Sequence, residues 1–240
     1  MIIDSHTHVQ RTSGFWDSPP ERIISLMDEA GIDMSVIMTY SDSPALVDYI
    51  CQCVNQYPRR LIGYARLDPS GGEEVCRIFE ESVKNSCIKG LKLHPVGNLV
   101  HPSADSSIKL IKIAATLGVP TLFHCGDEEF TLPMQIASAA EKCPEALIIL
   151  GHMGGYFHVE DAILAAEKFP NIILETSAMP YPEKIREAVE RIGSHRVLFA
   201  SDGPGCPPDL EFKKVKLAGL DKGDEEKVLG INIMRILGML

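Results

Sequence analysis

Histidines are the residues in this chain with the clearest capacity for chemistry. His6 and His8 stand two residues apart in the segment 4–8, and several further candidates each end a run of apolar residues: His94, His124, His152 and Asp202. Neutral imidazoles and a carboxylate are donors that suit a borderline divalent cation such as Zn²⁺. These residue types predict a metal site, provided that the fold brings the dispersed positions together.

Eight apolar runs, seven of which end in a polar residue, supply the elements that must position these side chains. The runs cover residues 2–8, 34–38, 61–66, 88–94, 121–124, 147–152, 172–176 and 197–202. Their last residues follow one another at intervals of 24 to 30 residues, the length of one strand-helix unit. The period predicts an α/β fold, a (β/α)8 TIM barrel in one domain over 1–240, whereas an open doubly wound sheet rarely has eight regular units.

Helix signals lie between the predicted strands. Segments 20–30 and 105–117 begin with Pro or Asp and are followed by Gly, and segments 72–85 and 133–142 also have helical signatures. Residues 225–237 are expected to form a C-terminal closing helix with Asp224 as its cap.

The parallel direction of the strands predicts that the dispersed candidate residues form one site. In a parallel barrel all strands end at the same rim, so the polar residues at their ends should gather there. Side chains alternate along a strand, and this alternation predicts that Asp4, His6 and His8 all point into the barrel. The same counting points Cys125 and Glu175 outward, so Glu175 is left out of the predicted site.

Composition excludes several classes of protein. The chain has 240 residues, 45% of them hydrophobic, and a formal charge of −10 without a basic block, which disfavours nucleic acid as a partner. No apolar run approaches the length of a membrane span. The seven cysteines are scattered and odd in number, and no leader segment is evident, so a reduced, cytoplasmic protein is expected.

The ordered set of motifs resembles the amidohydrolase superfamily. The set consists of His-x-His on strand one, His124 on strand five, Gly-His-Met-Gly-Gly at 151–155 and Ser-Asp-Gly-Pro at 201–204. Segments 90–95 and 230–232 are similar to the amidohydrolase-related branch that includes aminocarboxymuconate semialdehyde decarboxylase and related decarboxylases, hydratases and lactonases. The resemblance runs the length of the chain.

This resemblance implies a role for each matching residue. The metal, usually zinc in this branch, would be held by His6, His8, His124 and Asp202, with His152 beside it as a catalytic histidine. Such a donor set leaves a position for water, whose pKa falls from about 15.7 to about 7 on Zn²⁺. Asp202 would accept the proton of that water as catalytic base, and His152 would polarise or protonate the substrate.

Lys92 and His94 have several interpretations at the end of strand four. A carbamylated lysine at a comparable place bridges two metals in some family members. Lys92 would instead bind a substrate carboxylate, the preferred interpretation, or be a solvated rim lysine whose stem packs on the barrel. One divalent ion is expected, with Lys92 and His94 assigned to substrate binding or to a second ion.

The loop after strand one, residues 10–19, is a candidate substrate wall or lid because it holds Trp16, the single tryptophan, together with Phe15. The alternative is an ordinary surface loop with one packed aromatic. Arg66 ends strand three and would either bind a carboxylate at the rim or pair with Asp68.

The leading hypothesis is a metal-dependent enzyme that hydrolyses or decarboxylates a small carbonyl or carboxylate substrate. A metal-dependent nuclease or phosphoesterase is the runner-up, because such barrels also begin Asp-x-His-x-His. Their usual glutamate on strand four is replaced here by Lys92, and the acidic net charge opposes a polyanion. A non-catalytic barrel is a third class, which a full ligand set at an open rim argues against. Barrels often pair through exposed helices, so a homodimer is the other expected partner.

Overall fold

Eight parallel strands follow one another in sequence order around the centre of the molecule in the computed structural model, which describes all residues except Ser13, Phe15, Asp127 and Glu128. The strands are β1 (Ile3–His8), β2 (Met34–Met38), β3 (Leu61–Arg66), β4 (Ile88–Leu93), β5 (Thr121–Phe123), β6 (Ile148–Leu150), β7 (Ile172–Glu175) and β8 (Val197–Leu198). Beyond β8 the chain returns to β1, where His8 N donates to Gly203 O at 2.7 Å and Asp202 N donates to His6 O at 2.8 Å. The sheet is thus a nearly closed barrel, which confirms the (β/α)8 prediction.

Helices connect the strands and cover the outside of the barrel. They are α1 (Pro20–Ala30), α2 (Leu46–Gln56), α3 (Gly72–Lys84), α4 (Pro95–Asn98), α5 (Asp105–Thr116), α6 (Pro133–Lys142), α7 (Val159–Lys168), α8 (Pro182–Ile192) and α9 (Pro208–Leu217). Several begin on a proline, because its fixed φ suits the first helical turn and its missing N–H is not needed there. α1 ends where Gly31 adopts the left-handed conformation at φ 71°. The described residues contain no helix both long and apolar enough to cross a membrane.

The barrel has an inner and an outer apolar layer. The inner cluster fills the space enclosed by the strands and includes Ile3, Tyr64 and Leu198, while a larger cluster lies between the strands and the helices. The packing of the inner layer requires a glycine at position 90 on β4, because a Cβ there would lie 2.5 Å from the Tyr64 ring. The inner cluster closes the lower part of the barrel, so the open rim lies at the strand ends.

The C-terminal segment is helical, as predicted, but its start differs. α10 (Lys222–Glu226) continues through a π-helical turn, Lys227–Ile231, into α11 (Asn232–Ile236). The expectation that Asp224 is the cap is wrong: the Asp221 side chain accepts from Asp224 N at 2.8 Å, because Asp221 has the extended backbone that precedes a first turn. Asn232 then ties the segment to the barrel by donating to Ser194 O and Val197 O.

Two cysteines are joined across neighbouring elements. Cys51 on α2 and Cys87 just before β4 form a disulfide, with Cα atoms 5.2 Å apart. The expectation that all cysteines are reduced is wrong for this pair. The spacing of 36 residues carried no sign of it, because only the packing of α2 beside the start of β4 brings the two together.

Candidate active site

The barrel gathers the predicted residues at the C-terminal ends of its strands. His6 and His8 end β1, His124 follows β5, His152 follows β6 and Asp202 follows β8. The imidazole centroids of His6 and His8 lie 5.0 Å apart, those of His6 and His152 5.2 Å, and those of His124 and His152 4.8 Å. Residues almost two hundred positions apart in sequence therefore share one polar site.

An extra residue in β1 separates Asp4 from the two histidines. Asp4 pairs with Ser35 on β2 and Thr7 with Ile37, so β1 has one more residue than β2 over this stretch. Such a bulge shifts the alternation of side chains. The prediction that Asp4 points with His6 is therefore wrong: its carboxylate accepts from Ser201 N at 2.9 Å and from Ser201 Oγ, and burial raises its pKa to about 7.

Glu175 belongs to the site, contrary to the sequence interpretation. Its Oε1 accepts hydrogen bonds from His6 Nδ1, from His152 N and from Ser177 Oγ, each at 2.9 Å. Ile173, two residues earlier, belongs to the inner cluster, so alternation directs Glu175 inward as well. The prediction that Glu175 points outward was wrong because the alternation of side chains was counted from Thr176, which lies beyond the end of β7. Residues 172–174 are all apolar, so the sequence carried no sign that Ile173, and with it Glu175, faces inward.

Glu175 and Ser177 determine which nitrogen of each imidazole carries a proton. A carboxylate only accepts, so His6 Nδ1 donates and His6 Nε2 keeps a lone pair. Ser177 Oγ gives its proton to Glu175 and accepts from His152 Nδ1 at 2.8 Å, which leaves a lone pair on His152 Nε2. That nitrogen faces His124 Nδ1 at 3.0 Å.

Backbone strain at two strand ends supports a specialised role. His152 has φ 61° and Asp202 has φ 62°, a region that non-glycine residues seldom occupy. The preceding Gly151 has no room for a side chain, since a Cβ would lie 2.6 Å from Phe123 O. These turns direct His152 and Asp202 toward the rim.

The Asp202 carboxylate lies close to both histidines of β1. Its Oδ1 lies 3.0 Å from His8 Nε2 and 3.6 Å from His6 Nε2. Burial by itself would raise the pKa of Asp202, but the hydrogen bond with His8 and the neighbouring imidazoles hold that pKa well below its ordinary value. Burial lowers the pKa of His6, His8 and His124. The site thus combines an ionised carboxylate with neutral imidazoles.

Lys92 is buried at the centre of the site. It is 1% exposed, and its Nζ lies 3.0 Å from His6 Nε2. Burial, opposed by Asp202 and assisted by Arg66 on the adjacent strand, lowers the Lys92 pKa to about 7. The interpretation of Lys92 as a solvated rim lysine is wrong, because its head group is enclosed among ionisable side chains.

His94 lies at the edge of the site beside His124. The two rings stack at 4.2 Å, and His94 Nδ1 accepts from Gly97 N at 3.1 Å. Burial, with Arg66 and Lys92 nearby, lowers the pKa of His94 to about 3. His94 is therefore a neutral imidazole with its proton on Nε2.

The donor set fits a divalent cation. Ligand atoms of His6, His152 and Asp202 all lie within 4.8 Å of one another. His6 Nε2 and Asp202 Oδ1 face each other at 3.6 Å with no proton to share, because the His6 proton is held by Glu175. Lys92 Nζ, 3.0 Å from the same His6 nitrogen, supplies one positive charge beside this pair. The Glu175 carboxylate behind His6 is the usual support of a metal-ligating histidine.

A cavity of about 500 Å³ opens beside these residues and is lined by Gln10, Thr12, Trp16, Tyr40, Ser41, Arg66 and His94. Trp16 therefore contributes to a wall, as the sequence suggested, while Phe15 lies outside the described residues. Cys125 is buried in the outer apolar layer, in agreement with its predicted direction.

Fold and site define the class: a (β/α)8 barrel enzyme with a histidine-rich centre at the C-terminal rim. The family model for amidohydrolases, described as "Amidohydrolase", matches residues 3–239. The chain belongs to the amidohydrolase family, a family of metal-dependent enzymes. No curated protein matches the sequence.

Solved structures with a similar fold share little sequence with this chain. The 2,6-dihydroxybenzoate decarboxylase from Rhizobium is 14% identical with a TM-score of 0.78, and covers 99% of this chain and 98% of its own. The 5-carboxyvanillate decarboxylase from Sphingomonas paucimobilis is 16% identical with a TM-score of 0.77, covering 100% and 99%. A 5-carboxyvanillate decarboxylase from Novosphingobium aromaticivorans, complexed with manganese, is 14% identical with a TM-score of 0.82, covering 99% and 96%. These TM-scores establish the shared barrel fold.

Proposed function

We propose that this protein is a metal-dependent decarboxylase of a small aromatic or conjugated carboxylate. The observation that carries the proposal is the convergence of neutral imidazoles and the Asp202 carboxylate at one rim, with a cavity beside them. The names of the structural neighbours support this substrate class over lactones and amides. Hydrolysis by the same centre is the alternative outcome of the test.

One divalent ion is assigned to His6, His8, His124 and Asp202, the set that the family resemblance implies. Among the described residues, the ligand atoms found within 4.8 Å of one another are those of His6, Asp202 and His152. The carboxylate behind His6 and the neutral imidazoles support this ligand set. Zinc suits three nitrogens and a carboxylate, and manganese is the alternative because a neighbour is named with it. When bound, the ion polarises substrate oxygens and stabilises the negative charge that develops on them.

His152 is assigned to proton transfer. In the decarboxylation, the bond between the carboxylate and its carbon breaks, CO₂ leaves, and the electron pair stays on the substrate. A proton must then reach that carbon. His152 Nε2, which carries a lone pair while Nδ1 is held by Ser177, would first accept a proton from water and then deliver it to the carbon. In the hydrolytic alternative, Asp202 accepts the proton of the attacking water.

The test is CO₂ release from hydroxybenzoates and carboxyvanillate by metal-loaded protein, with lactones and amides in parallel. We expect activity that chelator removes and Zn²⁺ or Mn²⁺ restores, with one ion per chain by elemental analysis. Two tightly bound ions per chain, or activity unaffected by metal removal, would contradict the proposal. Hydrolysis of lactones or amides without CO₂ release would replace decarboxylation by the alternative.

Matched variants separate the assigned roles. His152→Ala should retain the metal and lose about 10²- to 10⁴-fold in turnover, the usual contribution of a general acid or base. Asp202→Asn should lose both metal and turnover. His195→Ala is the control, because His195 lies near the start of β8, at the opposite end of the barrel. Loss of metal in His152→Ala would make His152 a ligand instead.

A further inference from the structure

Arg66 is a nearly buried arginine to which no described residue offers a hydrogen bond or an ion pair. It is 9% exposed, and its Nε is enclosed without a partner. A guanidinium carries five N–H donors and a permanent charge, and burying such a group unpaired is costly. A protein that keeps this group enclosed has a site prepared for an anion.

Two acids that could pair with Arg66 accept hydrogen bonds from other residues, although the negative charge of Asp42 still acts on the guanidinium. Asp68, the partner considered from sequence, accepts from Ser70 N at 2.8 Å, and Asp42 accepts from Asn98 Nδ2 at 2.6 Å. Among the described residues neither forms an ion pair with Arg66. The guanidinium therefore remains available to a ligand in the rim cavity that it lines.

His94 supplies a second donor to the same cavity. Because its Nδ1 accepts from Gly97 N, its one proton is on Nε2. Arg66 and His94 meet at Gly97, where a Cβ would lie 3.0 Å from His94 Nδ1 and 3.3 Å from Arg66 Nη2. Both residues line the rim cavity, so a cation and a neutral N–H donor are available there to one ligand, a pair suited to a carboxylate.

Aromatic side chains lie between Arg66 and the proposed metal centre. The Tyr40 ring stacks on His8 at 4.5 Å, and the Trp16 ring lies 5.0 Å from Tyr40. Trp16, Tyr40 and Arg66 line one cavity. A planar ligand lying against these rings would extend from the histidines to Arg66.

We propose that Arg66, with His94, binds a second, non-reacting carboxylate of the substrate, which is therefore a dicarboxylate. This inference rests on the proposed decarboxylation. The reacting carboxylate leaves as neutral CO₂, so an ion pair with it would stabilise the ground state and oppose the reaction. A guanidinium contributes binding energy without this penalty only when its carboxylate persists in the product.

The test compares isophthalate with 3-carbamoylbenzoate, which replaces one carboxylate by a neutral amide of similar shape. Trp16 is the only tryptophan, so its fluorescence reports binding in the cavity without any need for turnover. We expect isophthalate to bind at least about 10-fold more tightly, because the neutral amide cannot form the charge-assisted hydrogen bonds that a carboxylate accepts from a guanidinium. Arg66→Met should reduce the ratio to near one, and Arg66→Lys should restore part of it.

Controls distinguish this inference from the proposed function. Arg59→Met removes an exposed arginine far from the cavity and should keep the wild-type ratio. All proteins are measured metal-loaded and after chelation, so a missing decarboxylase activity does not affect the result. A wild-type ratio near one, or a ratio that Arg66→Met leaves unchanged in both states, would overturn the assignment. If Arg66→Met does not fold, Arg66→Gln provides the same comparison.

Discussion

Replacing Glu175 with Gln tests the support of the proposed metal ligand His6. Glu175 Oε1 accepts three hydrogen bonds, and Oε2 accepts from Ser177 N at 2.7 Å. Glutamine retains one carbonyl oxygen, so its best orientation keeps the three bonds and turns its NH₂ toward Ser177 N–H. A buried donor left unpaired costs about 1–3 kcal/mol, which is the expected loss in free energy of unfolding.

Glu175→Gln should also weaken metal binding. Without the negative charge behind it, His6 is a poorer ligand, and loss of such a supporting carboxylate typically lowers metal affinity about 10- to 100-fold. Competition with a chelating dye measures the affinity, and urea unfolding of metal-free protein measures stability separately. Glu145→Gln is the control, because Glu145 is exposed and should change neither quantity. Affinity within about threefold of wild type, with stability reduced, would refute the reasoning by limiting Glu175 to a structural role.

Three further outcomes are expected. Lys92→Met should raise metal affinity by at least about 10-fold below pH 7, where Lys92, whose pKa is about 7, is protonated, since unit charges about 4 Å apart repel by about 4 kcal/mol at an effective dielectric constant of about 20; an unchanged or lower affinity in calorimetric titration contradicts this. Gly90→Ala should lower the free energy of unfolding by about 1–3 kcal/mol, because its Cβ would press on Tyr64; an unchanged urea midpoint contradicts it. The double variant Cys51→Ser/Cys87→Ser should lose about 4 kcal/mol of free energy of unfolding, as expected for a cross-link over 36 residues. If the variant unfolds at the same urea concentration as the wild type under non-reducing conditions, the disulfide does not contribute to stability.

The fold was predictable because each strand carries its own local signal. Runs such as 34–38 and 61–66 match the observed strands to the residue, and 20–30 matches α1. The barrel followed from their even spacing, which is a property of the sequence as a whole. The ends of β6 and β8 were less accurate, since His152 and Asp202 lie beyond the last paired residue of each strand.

Side-chain direction at the rim was less predictable. Alternation from an ideal strand misplaced Asp4, because the bulge in β1 arises from pairing with β2. It misplaced Glu175 because the count began at a residue outside β7. A shift of one residue reverses the direction of a side chain, so counting succeeds only where the strand boundary is known.

The amino-acid order by itself determined the number of strands, the rim on which the polar residues lie and the kinds of donor present, since these depend on local apolar patterns and residue type. Tertiary structure alone decided that Glu175 supports His6, that Lys92 is enclosed, and that Arg66 remains unpaired beside His94. These features depend on distances between separate strands. Hydrogen bonds and desolvation act over a few ångströms, and only closure of the barrel determines which side chains come that close.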